Sequence, residues 1–166
     1  PDPRDATALP ADRIDYAKAI GGKLKKPRIA FILRFGDHPL DIEVAALVTQ
    51  AARRFEEMGC IVEEVEPPVD FGTAGKTFVV HWLTSLQRLL QLFPESRHGE
   101  FDPNLLAGAR AGLRYSLQDV VNAQVARRDI AIAWNLLFAR YDLVLTPTVA
   151  VQPFEAGRNL PEGPEG

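Results

Sequence analysis

The sequence predicts an α/β fold, in which one βαβ unit is followed by helices and a further strand. Three observations support this prediction. Two short apolar runs, at residues 27–33 and 60–65, flank a stretch with helical apolar period. Two longer helical patterns follow, at residues 73–93 and 116–138. A last apolar run at 143–145 stands shortly before a proline, and no repeat or linker divides the chain into domains.

Residues 1–26 are predicted to form an extended segment, here called the lead-in, that precedes the α/β core. Three prolines and several charges within residues 1–12 are typical of an extended loop. A short helix is expected over residues 13–20, because Gly21 and Gly22 follow it and end it.

The βαβ unit occupies residues 27–65. Residues 27–33 form a nearly continuous apolar run between breakers, which indicates a buried strand. Asp41 is a good cap for a helix that ends near Gly59, and residues 60–65 give the second strand. The connection is expected to be parallel and right-handed. The buried stripe of the helix is predicted to be Val44, Val48, Ala51, Ala52, Phe55 and Met58.

Two helices are expected between Pro68 and Gly112. The first covers residues 73–93 and ends at Pro94, after which residues 95–101 are predicted to form a polar loop. Its buried stripe is predicted to be Val79, Trp82, Leu83, Leu86, Leu90 and Phe93. Asp102 and Pro103 open a second, shorter helix that is expected to stop at Gly112.

The last helix begins at Ser116, where a capping serine is followed three residues later by Asp119. Its helical period predicts a buried stripe of Val120, Gln124, Arg127, Ala131, Trp134 and Phe138. Gln124 and Arg127 are polar, so on a buried face they need partners. Two roles remain open for Arg127: a structural ion pair, or a clamp for an anion or carboxylate, to which a fixed guanidinium is suited.

The chain then enters a strand at 143–145 and a turn in which Thr146 and Thr148 flank Pro147. Ligands of open α/β sheets usually bind at such strand ends. The hydroxyls of Thr146 and Thr148 are expected to stabilise the turn by local hydrogen bonds. The alternative is that they contact a ligand. The predicted α/β core is therefore residues 27–154, and the Gly, Pro and Glu content of residues 155–166 predicts a flexible tail.

Composition excludes several functional classes. The chain is 46% hydrophobic and 25% charged, as in ordinary soluble domains. A net charge of -3 argues against binding nucleic acid, which favours a basic surface. The single cysteine excludes an internal disulfide and indicates a reducing compartment. No apolar run is long enough to span a membrane. A soluble, cytoplasmic protein without nucleic-acid or membrane partners is therefore expected.

No catalytic, metal or cofactor site can be assigned from the residues. His38, His81 and His98 are far apart in sequence and share no metal-ligand spacing. His81 is expected to be structural, and His38 and His98 to be solvated. Neither a nucleophile elbow nor a phosphate-binding glycine loop is present. We therefore predict no cofactor and no metal.

The residues do resemble a known family. Ala123, Arg127, Phe138, the run 141–148 and Pro153 resemble the C-terminal half of amidase signature enzymes. The segments 27–33, 43–45 and 56–65 are similar to the βαβ unit that precedes it in that family, and the resemblance covers nearly the whole chain. It implies a partial piece of the mixed-sheet amidase signature fold.

The family works through a Ser–cis-Ser–Lys triad in a Gly/Ser-rich signature, and no such stretch occurs in this sequence. The resemblance therefore implies that residues 1–166 are one fragment of an amidase domain, without catalytic residues and inactive alone. The fragment would supply scaffold and pocket wall for a small-molecule amide substrate. Arg127 matches a position that holds the glutamine substrate in the tRNA amidotransferase branch. The candidate substrate-binding residues are Arg127, Gln124, Thr146 and Thr148.

A second hypothesis is a self-standing, non-catalytic α/β module for ligand binding or protein interaction. It predicts a clean monomer. The fragment hypothesis instead predicts self-association of the isolated chain, through exposed apolar helix faces and an unpaired sheet edge.

Overall fold

A computed structural model describes residues 4–5, 14–20, 22, 26–158 and 161 of the chain. Helix α1, Tyr16–Ala19, is one turn long, and the carboxylate of Asp15 accepts a hydrogen bond from the backbone N–H of Lys18. The predicted helix over residues 13–20 is thus shorter than expected. Gly21, much of the predicted lead-in and most of the predicted tail after residue 158 lie outside the described residues.

The predicted parallel βαβ unit is confirmed. It consists of β1, Arg28–Phe31, then α2, Ile42–Glu57, and β2, Ile61–Glu64. Asp41 caps α2, since its Oδ1 accepts from the N–H groups of Glu43 and Val44 at 2.9 and 3.0 Å. These contacts lower the pKa of Asp41, chiefly through the N–H of Val44.

The predicted buried face of α2 is confirmed except at its end. Ala52 is buried, and the other members are half-buried: Val44, Val48, Ala51 and Phe55. Met58 was expected on this stripe but is 76% exposed, because the helix ends at Glu57 and Met58 is its C-cap. Gly59 has φ of +90°, the left-handed conformation that a helix-ending glycine adopts readily.

Three further α-helices and one 3₁₀ helix precede the last strand. Helix α3 is Phe71–Leu90, and a short 3₁₀ helix, Glu95–Glu100, takes the place of the predicted polar loop. Helix α4 is Pro103–Gly112, and helix α5 is Leu117–Phe138. Helix α3 packs against both α4 and α5.

His98, which lies in the 3₁₀ helix, is half-buried and not solvated as predicted. Its Nε2 lies 3.2 Å from the backbone carbonyl oxygens of both Leu90 and Phe93, where α3 runs out of internal partners. The rings of Phe93 and Phe101 also meet edge to face, with centroids 5.1 Å apart. The polar sequence of this segment therefore folds back onto the end of α3.

Helix α4 ends at Gly112, as the sequence predicted, but Gly112 is its last helical residue and does not have the positive φ of a helix-stopping glycine. A Cβ at this position would stand only 2.3 Å from the backbone oxygen of Leu83, so the backbones of α3 and α4 meet there directly. Glycine is thus required by close packing between two helices.

The predicted buried stripe of α3 is only partly right. Leu83, Leu86, Leu90 and Phe93 are half-buried, but Val79 and Trp82 are 41% and 53% exposed. Thr77, which was not on the predicted stripe, is buried, and its hydroxyl donates to the carbonyl of Thr73.

The predicted buried face of α5 is wrong at four of its six positions, whereas Val120 and Trp134 are half-buried. The side chains that pack inward belong to Ala123, Ala126, Ile130, Trp134 and Leu137. The other face members that were predicted to be buried, Gln124, Arg127, Ala131 and Phe138, are exposed. The true face is rotated from the predicted one by roughly a quarter of a turn. The start of the helix is confirmed, because Ser116 and Asp119 form a reciprocal capping box.

Strand β3, Leu143–Leu145, pairs in parallel with β1, and the sheet order is β2-β1-β3. The central position of β1 explains its burial. The core of the sheet contains Ala30, Ile32, Leu137 and Tyr141. None of the helices in the described part of the chain has the length and apolar content needed to cross a bilayer.

Candidate functional site

The carboxyl ends of the three parallel strands meet at one edge of the sheet. Past the end of β1, the backbone N–H of Ile32 donates to the carbonyl of Leu145 at 2.9 Å. On the other side, the N–H of Val65 donates to the carbonyl of Phe31 at the same distance. Three loops therefore begin side by side, and such edges are where open α/β sheets bind ligands.

The segment that follows β3 is fastened to the start of α2. The backbone N–H of Asp41 donates to the carbonyl of Ala150 at 2.9 Å. The amide of Gln152 donates to Oε2 of Glu43 at 2.7 Å. These bonds fix the chain after Pro147 beside the loop that leaves β1.

The two segments enclose a cavity of about 350 Å³, which we call the edge cavity. Phe71, the first residue of α3, closes one side, with its ring 5.7 Å from that of Phe35 and 4.5 Å from that of His38. The rest of the lining is mostly apolar. It comprises Leu33, Arg34, Pro39, Leu40, Pro147, Thr148, Val149, Ala150 and Val151.

A second cavity of about 470 Å³ lies next to it and has acidic walls, which include Asp37, Glu64 and Glu66. Leu33 and Arg34 border both cavities. Arg34 makes no ion pair with any other residue that the structure describes. Its guanidinium is therefore an available positive charge between apolar and acidic walls.

The predicted site residues fall into two separate places. Thr148 is exposed and lines the edge cavity. Thr146 is half-buried just after β3, and its hydroxyl oxygen is shielded from solvent without a hydrogen-bond partner among the described residues. Gln124 and Arg127 are exposed on α5 and line neither the edge cavity nor its acidic neighbour.

Arg127 and its neighbour Arg128 have different surroundings. Arg128 donates two hydrogen bonds to Oδ1 of Asp129, at 2.8 and 3.0 Å. Arg127 has no ion pair with another described residue, so the structural ion pair that was one of its two predicted roles is not formed in this part of the chain.

A polar cluster joins the sheet to the end of α5. The hydroxyl of Tyr141 donates to Oε2 of Glu63 at 2.7 Å, and the guanidinium of Arg28 donates to Oε1 at the same distance. Tyr141 and Arg28 hold the pKa of Glu63 below its ordinary value, with Tyr141 the larger cause. The same hydrogen bond raises the pKa of Tyr141. Both oxygens of Glu63 are thus occupied, and the cluster is structural.

The sequence did not predict Arg34, His38 or Phe71 as site residues. Arg34 and His38 could have been found, because they follow directly after a predicted buried strand, where ligand-binding loops of parallel sheets begin. Phe71 carries no such signal, since only the fold brings the start of α3 to this loop. Within the described residues no three His, Cys, Asp or Glu side chains come together to hold a metal ion.

The fold and this edge define a parallel α/β unit with its ligand-binding loops on the carboxyl side of the sheet. The family model described as Amidase matches residues 1–165, and the chain belongs to the amidase family. The predicted resemblance to amidase signature enzymes is confirmed.

Similar proteins include one of the subunits of glutamyl-tRNA(Gln) amidotransferase from Syntrophomonas wolfei. It is 27% identical over 183 residues, which cover 96% of this chain and 37% of that protein. An acylamidase from Rhodococcus erythropolis is 27% identical over 168 residues, which cover all of this chain and 35% of that protein.

Two solved structures have similar folds. A bacterial aryl acylamidase of the amidase signature family has a TM-score of 0.75 and 27% identity, with 98% of this chain and 34% of that one covered. The 6-aminohexanoate cyclic dimer hydrolase, complexed with substrate, has a TM-score of 0.78 at 20% identity, with 94% of this chain and 34% of that one covered. At this identity the likeness supports a shared fold and nothing further.

The chain spans about a third of the length of these relatives. The prediction that it is a piece of the amidase signature fold is therefore confirmed. The alternative of a self-standing, non-catalytic module is not favoured by this family membership.

Proposed function

We propose that this chain is part of an amidase that hydrolyses a carboxamide to a carboxylate and ammonia. The observation that carries the proposal is the family match over residues 1–165, together with the shared fold. A serine oxygen would attack the amide carbon, and the C–N bond would break as the nitrogen takes up a proton and leaves as ammonia. Water would then hydrolyse the acyl-serine.

The chain's own share in this reaction is scaffold and pocket wall. Its sequence contains no Gly-Gly-Ser-Ser stretch, so the nucleophile is proposed to come from the remainder of the enzyme. The surface of α5 supports this. Its side opposite the buried face carries a second apolar row of Leu117, Val121, Val125, Ile132 and Leu136, each at least 45% exposed. A helix that is apolar on two sides is normally covered on both.

Arg127 is the residue we propose to face the substrate. Its guanidinium is exposed and has no ion pair with another described residue, while α5 holds it on a regular helix of 22 residues. A rigidly mounted guanidinium is suited to a carboxylate or a polarised carbonyl. Gln124 lies one turn earlier on the same exposed side, and Thr146 and Thr148 are further candidates at the strand end.

The direct test is ammonia release from a panel of small carboxamides. The protein expressed from the complete reading frame that contains this chain is expected to release ammonia, and residues 1–166 alone are expected to release none. Hydrolysis by residues 1–166 alone would contradict the proposal that the nucleophile comes from the remainder of the enzyme. A full-length protein that is folded and cleaves no amide would overturn the amidase proposal.

The isolated chain is proposed to self-associate. The outward apolar row of α5 is supplemented by Phe78 and Trp82 on α3, which are 62% and 53% exposed and stack on each other. Apolar surface of this extent is uncommon on monomers. Sedimentation velocity of residues 1–166 at rising concentration is expected to show species larger than the monomer.

A cytoplasmic location is proposed on the basis of the single cysteine. Cys60 is free and half-buried, as a thiol in a reducing compartment can remain. Cell fractionation followed by detection of the full-length protein tests this location, and recovery in an extracytoplasmic fraction would contradict it.

A further inference from the structure

The edge cavity has the properties of a small-molecule site that is separate from Arg127. Its volume of about 350 Å³ is within the range of pockets that bind small ligands. Aromatic rings of Phe35, His38 and Phe71 stand on one side, and the backbone after Pro147 forms the other. An apolar wall of this kind desolvates an aromatic or branched aliphatic group.

The guanidinium of Arg34, which borders the cavity, favours apolar ligands that also carry one negative charge. Arg34 is exposed and makes no ion pair with another described residue, so its guanidinium is free to receive a carboxylate. The acidic walls of the neighbouring cavity, with Glu64 and Glu66, begin at the same arginine. A second negative charge on the ligand would therefore meet like charge.

We propose that the edge cavity binds a small monocarboxylate with an aromatic or branched apolar body, whose carboxylate pairs with Arg34. The Thr148 hydroxyl stands on the same lining and can donate to the second carboxylate oxygen. This proposal does not depend on amide hydrolysis, because its ligand contains no amide and its cation is Arg34. Thr148 alone is shared with the candidate substrate-binding residues.

The test is isothermal titration of the full-length protein with phenylacetate. One saturable site is expected. Replacing Arg34 by Gln is expected to weaken binding by about tenfold, since a charge-assisted hydrogen bond is lost. Val149→Trp is expected to abolish binding, because Val149 lines the cavity, is 60% exposed and has room for a larger ring. Phenylmalonate, with two carboxylates, and the uncharged alcohol 2-phenylethanol, which contains no amide, are expected to bind more weakly than phenylacetate.

Arg53→Gln is the matched control, because it removes another exposed arginine, on α2, that lies outside the cavity. It is expected to bind phenylacetate like the unchanged protein. Absence of saturable binding, or unchanged binding by Arg34→Gln and Val149→Trp, would overturn the proposal. Loss of binding in Arg127→Gln alone would also overturn it, since the carboxylate would then bind at α5. Circular dichroism confirms that each variant is folded.

Discussion

The sheet region, residues 28–64, and the helical region, residues 71–138, differ in how they use apolar side chains. In the sheet region α2 buries one face against β2, and the large apolar side chains that it exposes are those of Ile42 and Leu47. In the helical region α5 is apolar on two sides, one packed inward and one exposed. The large apolar side chains exposed on α2 do not form a continuous row, whereas α5 presents a second apolar row as surface for further protein.

The helical region's internal packing gives the largest expected effect. Gly112→Ala places a Cβ against the backbone oxygen of Leu83, which cannot move away as a side chain can. We expect a loss of about 3 kcal/mol or more in the free energy of unfolding, measured by urea denaturation of the full-length protein.

Gly75 provides the matched control on α3. An added Cβ there meets no atom within 4 Å, so Gly75→Ala is expected to stabilise the helix by about 0.5–1 kcal/mol. Gly108→Ala should fall between the two, because its close neighbour is the flexible end of Leu86. Equal effects of Gly112→Ala and Gly75→Ala would contradict the backbone contact between α3 and α4.

The exposed side of α5 is tested by a pair of adjacent arginines. In the full-length amidase, Arg127→Gln is expected to lower kcat/KM by about 10- to 100-fold, since a charge-assisted hydrogen bond to substrate is lost. Arg128→Gln is expected to stay within about twofold, because Arg128 is an exposed side chain paired with its neighbour Asp129. Equal kinetics of the two variants would show that Arg127 does not face the substrate.

The same difference between regions decides what the sequence could predict. The caps at Asp41, Asp102 and Ser116 were found because a cap depends on the next three residues only. The buried face of α2 was predicted correctly because its sequence has a single apolar stripe, so the helical period assigns only one face as buried. The buried face of α5 was missed because its apolar residues lie on two sides, and the helical period cannot choose between them.

The edge cavity could not be predicted from the sequence, because its lining residues are far apart in the chain. Thr148 was placed at a strand end correctly, but its neighbours come from loops about 75 and 110 residues away in the chain, which only strand pairing and helix docking bring together. At Gly112 the sequence located the end of α4 but not the reason for the glycine. A glycine near a helix end usually has a left-handed conformation, and the local signal is the same when the glycine serves helix packing.

The outward apolar row of α5 predicts a smaller effect, on the assembly of residues 1–166. Leu136 is 66% exposed, and Leu136→Glu puts a charge into any surface that the row forms. We expect this variant to shift sedimentation towards the monomer, by about tenfold in the association constant. The control Leu47→Glu alters a residue that is 59% exposed on α2, outside the helical region, and is expected to leave assembly unchanged.

The smallest expected effect concerns the joint between the two regions, where Tyr141 at the end of α5 donates to Glu63 on β2. Because the folded protein lowers the pKa of Glu63, this carboxylate stabilises the fold above its ordinary pKa of 4.5, and the contribution is lost as the pH falls below that value. Tyr141→Phe removes the larger cause of the shift. We expect its melting temperature to be lower by roughly 2–4 °C at pH 7, and the difference from the unchanged protein to shrink towards pH 3. Tyr115→Phe, which alters a half-buried tyrosine away from Glu63, is expected to keep the original acid dependence. A difference that persists unchanged at pH 3 would mean that the Tyr141 hydroxyl stabilises the fold independently of the charge on Glu63.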